Sequence, residues 1–501
     1  MVLPLALSPL LLFLLPVLIP LSSIFIFIFN KRRGFVLSRD AALKAVPKTA
    51  TIGVFHPYAN GGGGGERVLY CALLALVQRY RKMGIDICIV LYAGDDGLSA
   101  AELVARAADE FNLPELKTLH VERHVTLVPL PSREILEPSR YPSFTLMWQS
   151  VAHIRLALEA VQQSSKQGLY PNVWVDTTGC PFSYIVASLL YACTVVAYVH
   201  YPMISTDMIA KVQQRDAGFN NDAAIAASSS RSKAKYIYYR LFAGLYSLMG
   251  KYCTDVAMVN STWTYSHIKQ LWGKTPTIVY PPCGAMREYM NFGLGDRKPI
   301  ALSVSQFRPE KNHSLQLRSF QVLLTKYAER MKTKFSDFRL VLLGSCRNAD
   351  DEARVEALKK QAQDLGIAER VDFVVNATFA ELKRYLAKSS IGVHTMYNEH
   401  FGISNVEMMA AGMLVVANNS GGPKADIVKP GTGCLALTAD EYADKMLSLL
   451  EKTPAEAIEM RSAARKSSLR FSDGEFGEQF LAAIDGALQS VDGDTDRIKS
   501  A

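Results

Sequence analysis

A chain of 501 residues is too long for one ordinary domain, and at roughly 100–200 residues each, two or three are expected. With 49% hydrophobic and 20% charged residues it is neither an intrinsically disordered nor an acidic solvating protein, and a mean hydropathy of +0.08 places part of it in or on a membrane. The net charge of +8 is a mild excess of Lys and Arg, suited to an anionic membrane surface or phosphate-bearing ligands as well as to nucleic acid.

The first segment, residues 1–30, reads as a membrane anchor. Residues 1–29 carry no charged side chain, and 5–29 are nearly all Leu, Ile, Phe, Val and Pro. About 20 apolar residues cross a bilayer, and a membrane helix tolerates the prolines near its start. A cleaved signal peptide would place positive charge before a shorter apolar core. Here Lys31, Arg32 and Arg33 come after it, so the positive-inside rule sets residues 31–501 in the cytosol. Sequons begin at Asn260, Asn312, Asn376 and Asn418, and this topology leaves them unmodified. The eight cysteines are never closer than thirteen positions, which excludes a CxxC motif and suits a reducing compartment. Most lie in apolar runs, where a thiol behaves as a small buried hydrophobe.

A first αβ series fills residues 48–282. Residues 51–55 read as a strand, Gly61–Gly65 as a glycine loop, and 66–80 as a helix presenting Val68, Leu69, Ala72, Leu73, Leu76 and Val77 on one face. With a buried strand at 85–92 this makes a βαβ unit and a parallel sheet. Further strands are expected at 125–129, 173–176 and 195–200, apolar on both faces as in a sheet covered on both sides. Residues 211–235, rich in Ser, Asn, Lys and Arg, read as a flexible loop. The Tyr-rich 236–252 segment fits either a helix lying on the membrane or an ordinary buried helix. A linker at 280–299 leads into a second series over 299–490, with strands at 300–305, 338–344, 371–375, 391–394 and 413–417. The fold class is therefore α/β, two doubly wound halves with a ligand cleft between the carboxyl ends of their sheets.

Three motifs carry chemistry. The loop Gly61, Gly62, Gly63, Gly64, Gly65 ends a strand and opens a helix, so its N–H groups can meet a phosphate. It is neither the dinucleotide fingerprint nor a P-loop. Arg308 and Lys311, three apart after the first strand of the second half, are placed to hold a diphosphate. Glu399 and Glu407 flank seven residues around a Phe401-Gly402 turn, after a strand and before a helix. Glu399 can reach a sugar hydroxyl and Glu407 a ribose, while the helix start between them points at phosphates. Gly421 and Gly422 follow the next strand and let backbone approach a ligand.

These residues, with His56-Pro57-Tyr58-Ala59-Asn60-Gly61, Val199-His200-Tyr201-Pro202 and Tyr397-Asn398-Glu399-His400-Phe401-Gly402, resemble the eukaryotic α-1,2-mannosyltransferases of asparagine-linked glycosylation. Those are retaining transferases of the GT-B architecture, with two facing Rossmann-like domains, and the likeness spans about residues 48–490. The resemblance implies GDP-mannose as donor and a dolichol-diphosphate-linked oligosaccharide as acceptor. It implies addition of the fourth and fifth mannoses at the cytosolic face of the endoplasmic reticulum membrane, beside other mannosyltransferases of the pathway, with no nucleic acid. Arg308 and Lys311 would bind the diphosphate, Glu407 the ribose, and Glu399 the mannose hydroxyls with the Phe401–Ile403 backbone beside it. His200 matches a histidine near the donor sugar, although a lone His at a strand end reads equally as structural. The implied mechanism needs no metal or cofactor; the one Asp-x-Asp match, Asp492-Gly493-Asp494, reads as a solvated tail. An epimerase or glycogen-type synthase on the same fold would have no use for the anchor, and a non-catalytic tethered scaffold would not require the Arg/Lys/Glu/Glu set.

Overall fold

The computed structural model describes residues 9–45, 49–95, 97–215, 225, 227–284 and 286–499. Two parallel sheets organise it. The first contains β1 (Thr49–Phe55), β2 (Asp86–Ala93), β3 (Val125–Pro129), β4 (Val173–Asp176), β5 (Thr194–Val199), β6 (Val256–Val259) and β7 (Thr277–Ile278), in the order β3-β2-β1-β4-β5-β6-β7. The second contains β8 (Lys298–Val304), β9 (Arg339–Gly344), β10 (Val371–Val375), β11 (Ser389–His394), β12 (Leu414–Asn418) and β13 (Gly433–Ala436), in the order β10-β9-β8-β11-β12-β13. Every residue of β4, β11 and β12 is buried, as helices on both faces require. In both sheets the chain order reverses once, between β1 and β4 and between β8 and β11. Loops leaving those strands open onto a crevice that ligands occupy in doubly wound folds.

The helix Gly64–Met83 shows how local chemistry sets these elements. Glu66 turns back to accept the Gly63 N–H at 2.7 Å, closing the first turn, and Gly84 (φ 66°) ends the last. Its apolar face, including Val68, Leu69, Leu73 and Leu76, is buried against the first sheet.

Two boundaries differ from the sequence reading. The final helix, Asp473–Lys499, belongs by packing to the first domain. Phe476, Phe480, Ile484 and Leu488 enter the core with β1 and the Gly64–Met83 helix, and Asp473 takes both oxygens to Arg67 (2.8 and 2.9 Å). The helix Ser229–Cys253 begins inside the expected loop, of which residues 216–224 and 226 lie outside the described residues. One face of it is core (Tyr239, Phe242, Tyr246), as the buried-helix alternative expects, and the other is exposed.

The helix Pro9–Ala45 is seated on the first domain by its C-terminal half. Phe35 is buried edge-on to Tyr191 (4.7 Å) and Tyr170 (5.3 Å), while Arg32 donates to Ser188 O (2.6 Å) and Arg39 to Ala192 O (3.2 Å). Among the described residues no helix is long and apolar enough to cross a membrane. The expected span falls mostly on residues 5–21, whose side chains are outside those described.

Candidate active site

The loops after β8 and β11 meet because their strands are neighbours. Thr395 ties them together, its hydroxyl donating to Lys311 O (2.9 Å) and accepting from Gln316 Nε2 (2.9 Å). Lys311 Nζ then reaches Glu399 Oε2 at 2.5 Å and Met396 Sδ at 3.2 Å, and His394 Nε2 lies 3.1 Å from the same Glu399 oxygen. Burial alone would raise the Glu399 carboxyl, but the Lys311 ammonium and the His394 bond hold it well below the usual carboxylate range. Arg308 leans on Glu310 (3.6 Å), and its buried Nε has no partner.

Glu407 behaves in the opposite way. It sits one turn into the helix Ile403–Ala410, where burial pushes its carboxyl up to about 7 against the pull of Arg67. Two glutamates at opposite ends of one motif thus differ in protonation, the usual mark of divided roles. Gly402 (φ 104°) opens the helix, and buried Phe401 packs on Phe471 (5.1 Å) and Tyr280 (5.8 Å). Gly421 and Gly422 pack closely against this loop. A Cβ on Gly421 (φ 58°) would collide with Glu399 O, one on Gly422 would lie 2.6 Å from Phe401 Cα, and Gly422 N–H donates to Glu399 O at 2.8 Å.

Across the cleft stands the glycine loop. A Cβ on Gly64 would lie 2.7 Å from Ile403 Cδ1, so this loop touches the helix start of the other domain. Within it Glu66 takes the Gly63 N–H, and the Glu110 carboxylate lies close beside Gly62. Beside Gly65, His200 is half-buried with its Nε2 enclosed and unpartnered, and desolvation holds it down to about 4. His56, which heads a motif of the resemblance but was given no role, donates or accepts at Thr177 Oγ1 (2.5 Å) and faces Glu66 at 3.6 Å. His394 was likewise missed; a histidine closing a buried strand five positions before Glu399 is the signal that points to it.

The domains also grip one another near the site. His400 stacks on Tyr201 (4.0 Å) with Trp263 5.1 Å away, Asn398 donates to Asp207 (2.7 Å), and Asp426 accepts from Thr262 N (2.9 Å) and Tyr280 OH (3.0 Å). Unpartnered buried polar atoms collect along this cleft, at His200, Arg308, His394 and Asn405. Among the described residues no group of three His, Cys, Asp or Glu is disposed to hold a metal ion.

Holding an anionic leaving group on one domain while presenting its sugar to the other is what a nucleotide-sugar glycosyltransferase of the GT-B architecture does, and that is the class of this chain. The fold agrees with a sucrose-phosphate synthase from Thermosynechococcus elongatus, at a TM-score of 0.59 and 16% identity over 88% of this chain and all of that one. Residues 49–272 match the family described as ALG11 mannosyltransferase N-terminus, and 288–467 match glycosyl transferases group 1. The mouse GDP-Man:Man(3)GlcNAc(2)-PP-Dol alpha-1,2-mannosyltransferase is 44% identical over 447 residues, 87% of each chain; the human protein of that name is 44% identical over 444 residues, 87% of this chain and 86% of its own. The chain belongs to this mannosyltransferase family.

Proposed function

We propose that the chain transfers mannose from GDP-mannose with retention, forming the α-1,2 linkages of the fourth and fifth mannoses on a dolichol-diphosphate-linked oligosaccharide. The observation that carries the reading is the Glu399–Glu407 pair around a helix start, with Lys311 on Glu399, at the reversal point of the second sheet. The relatives' names supply the sugar, nucleotide and acceptor.

In this reading Arg308 and Lys311 hold the diphosphate and Glu407 the ribose. Donor entry draws Lys311 from Glu399 toward the leaving group and frees the carboxylate to hold mannose hydroxyls, beside the Phe401–Ile403 backbone. The bond between the anomeric carbon and the β-phosphate oxygen breaks, and its electron pair stays with the diphosphate. Lys311, Arg308 and the start of the Ile403–Ala410 helix meet that growing charge, the largest catalytic contribution in such a site. The acceptor hydroxyl bonds the same face of the sugar, and its proton passes to the departing phosphate oxygen. The scheme needs neither metal nor cofactor.

The same reading seats the enzyme on the cytosolic face of the endoplasmic reticulum membrane, spanning it once near the N-terminus, where it meets the other mannosyltransferases of the pathway. The charge-free residues 1–29 and the following Lys31–Arg33 support it. So does a second apolar surface. Ile237, Leu241 (67% exposed), Leu245, Leu248 and Tyr252 line the outer face of the Ser229–Cys253 helix, with Phe144 and Trp148 adjoining through the Phe144–Tyr238 ring contact (5.3 Å). Arg231, Lys233, Arg240 and Lys251 on that helix are exposed beside it, as suits a helix resting on anionic lipid.

The test is incubation of the detergent-solubilised protein with labelled GDP-mannose and a trimannosyl lipid-linked acceptor, followed by sizing of the glycan. Two added residues, both removed by an α-1,2-mannosidase, are expected. Intact GDP-mannose binding without turnover would instead make the chain a tethered scaffold, and turnover only with another nucleotide sugar would overturn the donor.

A further inference from the structure

Glu399 is one of the most enclosed carboxylates in the molecule, only 9% exposed, and both side chains that hold it do so through Oε2. One is Lys311, whose assigned task is to leave for the diphosphate. The other is His394, which nothing above assigns to the reaction. It closes β11, its side chain is 4% exposed, and its carbonyl is fixed by Tyr442 OH at 2.8 Å. A carboxylate only accepts, so the His394 Nε2 carries the proton of that 3.1 Å bond. That bond, with the backbone anchored by Tyr442, fixes the orientation of the ring.

We infer that His394 is a positioning residue of the transfer reaction, keeping Glu399 Oε2 pinned so that Oε1 stays aimed at the sugar hydroxyls when Lys311 turns to the diphosphate. The geometry gives it that office because strand and loop form a short closed ring: β11 ends at His394, Asn398 (φ 52°) reverses the chain, and Glu399 returns onto the ring nitrogen. Without it the departure of Lys311 would leave a buried carboxylate with none of the side-chain partners seen here, free to swing or to take up a proton. Supporting partners of this kind typically change activity 10–100-fold without touching substrate.

The inference rests on Glu399 holding the sugar, and the experiment separates the two. His394→Phe, His394→Gln, Glu399→Gln and the double variant His394→Phe/Glu399→Gln are assayed for kcat and for the GDP-mannose KM, with a thermal melt of each. His394→Phe should lower kcat on the order of 10–100-fold with KM changed less than about threefold. His394→Gln, whose amide N–H can replace Nε2–H, should recover to within about fivefold of wild type. In the Glu399→Gln background His394→Phe should add less than about twofold, because it acts through that carboxylate. Near-normal kcat in His394→Phe overturns the proposal, as does equal loss in the Phe and Gln variants or a full additional loss in the double variant. Near-normal kcat in Glu399→Gln instead removes the role of Glu399 itself, and this inference with it. If His394→Phe fails to fold, His394→Asn, whose shorter amide cannot span the gap, replaces it with the same expected loss.

Discussion

Glu407 allows the nucleotide's placement to be read as a proton count. Its carboxyl stands at about 7 in the free protein, so it is about half protonated at neutral pH. Only the carboxylate accepts from both ribose hydroxyls, so binding must expel the proton. A raised free-state value that falls on binding makes affinity rise as pH rises through 7. Taking the bound group near the ordinary ~4.5, binding releases about 0.9 proton at pH 6, about 0.5 at pH 7 and about 0.1 at pH 8. Kd should therefore fall roughly tenfold from pH 6 to pH 8, or about 1.4 kcal/mol. His200 just past β5, His313 at the start of the helix His313–Lys326 and His400 in the loop after β11 are held at about 4 and stay neutral throughout. GDP-mannose is a diphosphate diester with no group titrating in this window. Titration calorimetry without acceptor, in two buffers of different ionisation enthalpy, measures both quantities. Glu407→Gln should abolish the proton release and weaken binding at pH 8 by about 1.5–3 kcal/mol. A flat Kd with no release from the wild type, or release that persists in Glu407→Gln, refutes the placement.

Glu399→Gln and Lys311→Ala should each lower kcat on the order of 10²-fold with a smaller effect on KM, whereas Glu407→Gln should act chiefly on KM; the opposite split in steady-state assays reverses the two glutamates. Gly421→Ala should cost about 1–3 kcal/mol in thermal or denaturant unfolding, since its left-handed backbone and the Glu399 carbonyl exclude a Cβ, and an unchanged Tm would show that the loop yields. Protease added to sealed microsomes should digest the bulk of the chain. Exposed Asn376 is the informative sequon, Asn260 and Asn418 being buried, and an endoglycosidase-sensitive glycan there would place the domains in the lumen. Chelator should leave transfer largely intact, and full loss restored by manganese would overturn the metal-free scheme.

Much of this architecture is written as local pattern. The longer strands are apolar runs, and the glutamate spacing is legible because one loop and the first turn of one helix contain it. β6, β7 and β13 are two to four residues long at or near sheet edges, too short to make a run. The Lys311–Glu399 contact joins positions 88 apart and exists only because β11 pairs with β8, which no single-sequence period reveals. Gly421 and Gly422 show a subtler limit. Their type is visible, but whether they face a ligand or another loop depends on what lies opposite. Phe476, Phe480, Ile484 and Leu488 mark a helix face, yet nothing in their spacing says which domain receives it.

That last helix bears on how the protein is made. A ribosome releases the first domain's strands long before it reaches residue 473, yet the floor of that domain's core is completed by side chains as late as Leu488. Until they arrive, Val68, Leu69 and their neighbours have an open apolar side, and Arg67 lacks its carboxylate. A premature stop before residue 473, though it spares Arg308, Lys311, Glu399 and Glu407, should yield a species recognised by quality control rather than a weakened enzyme.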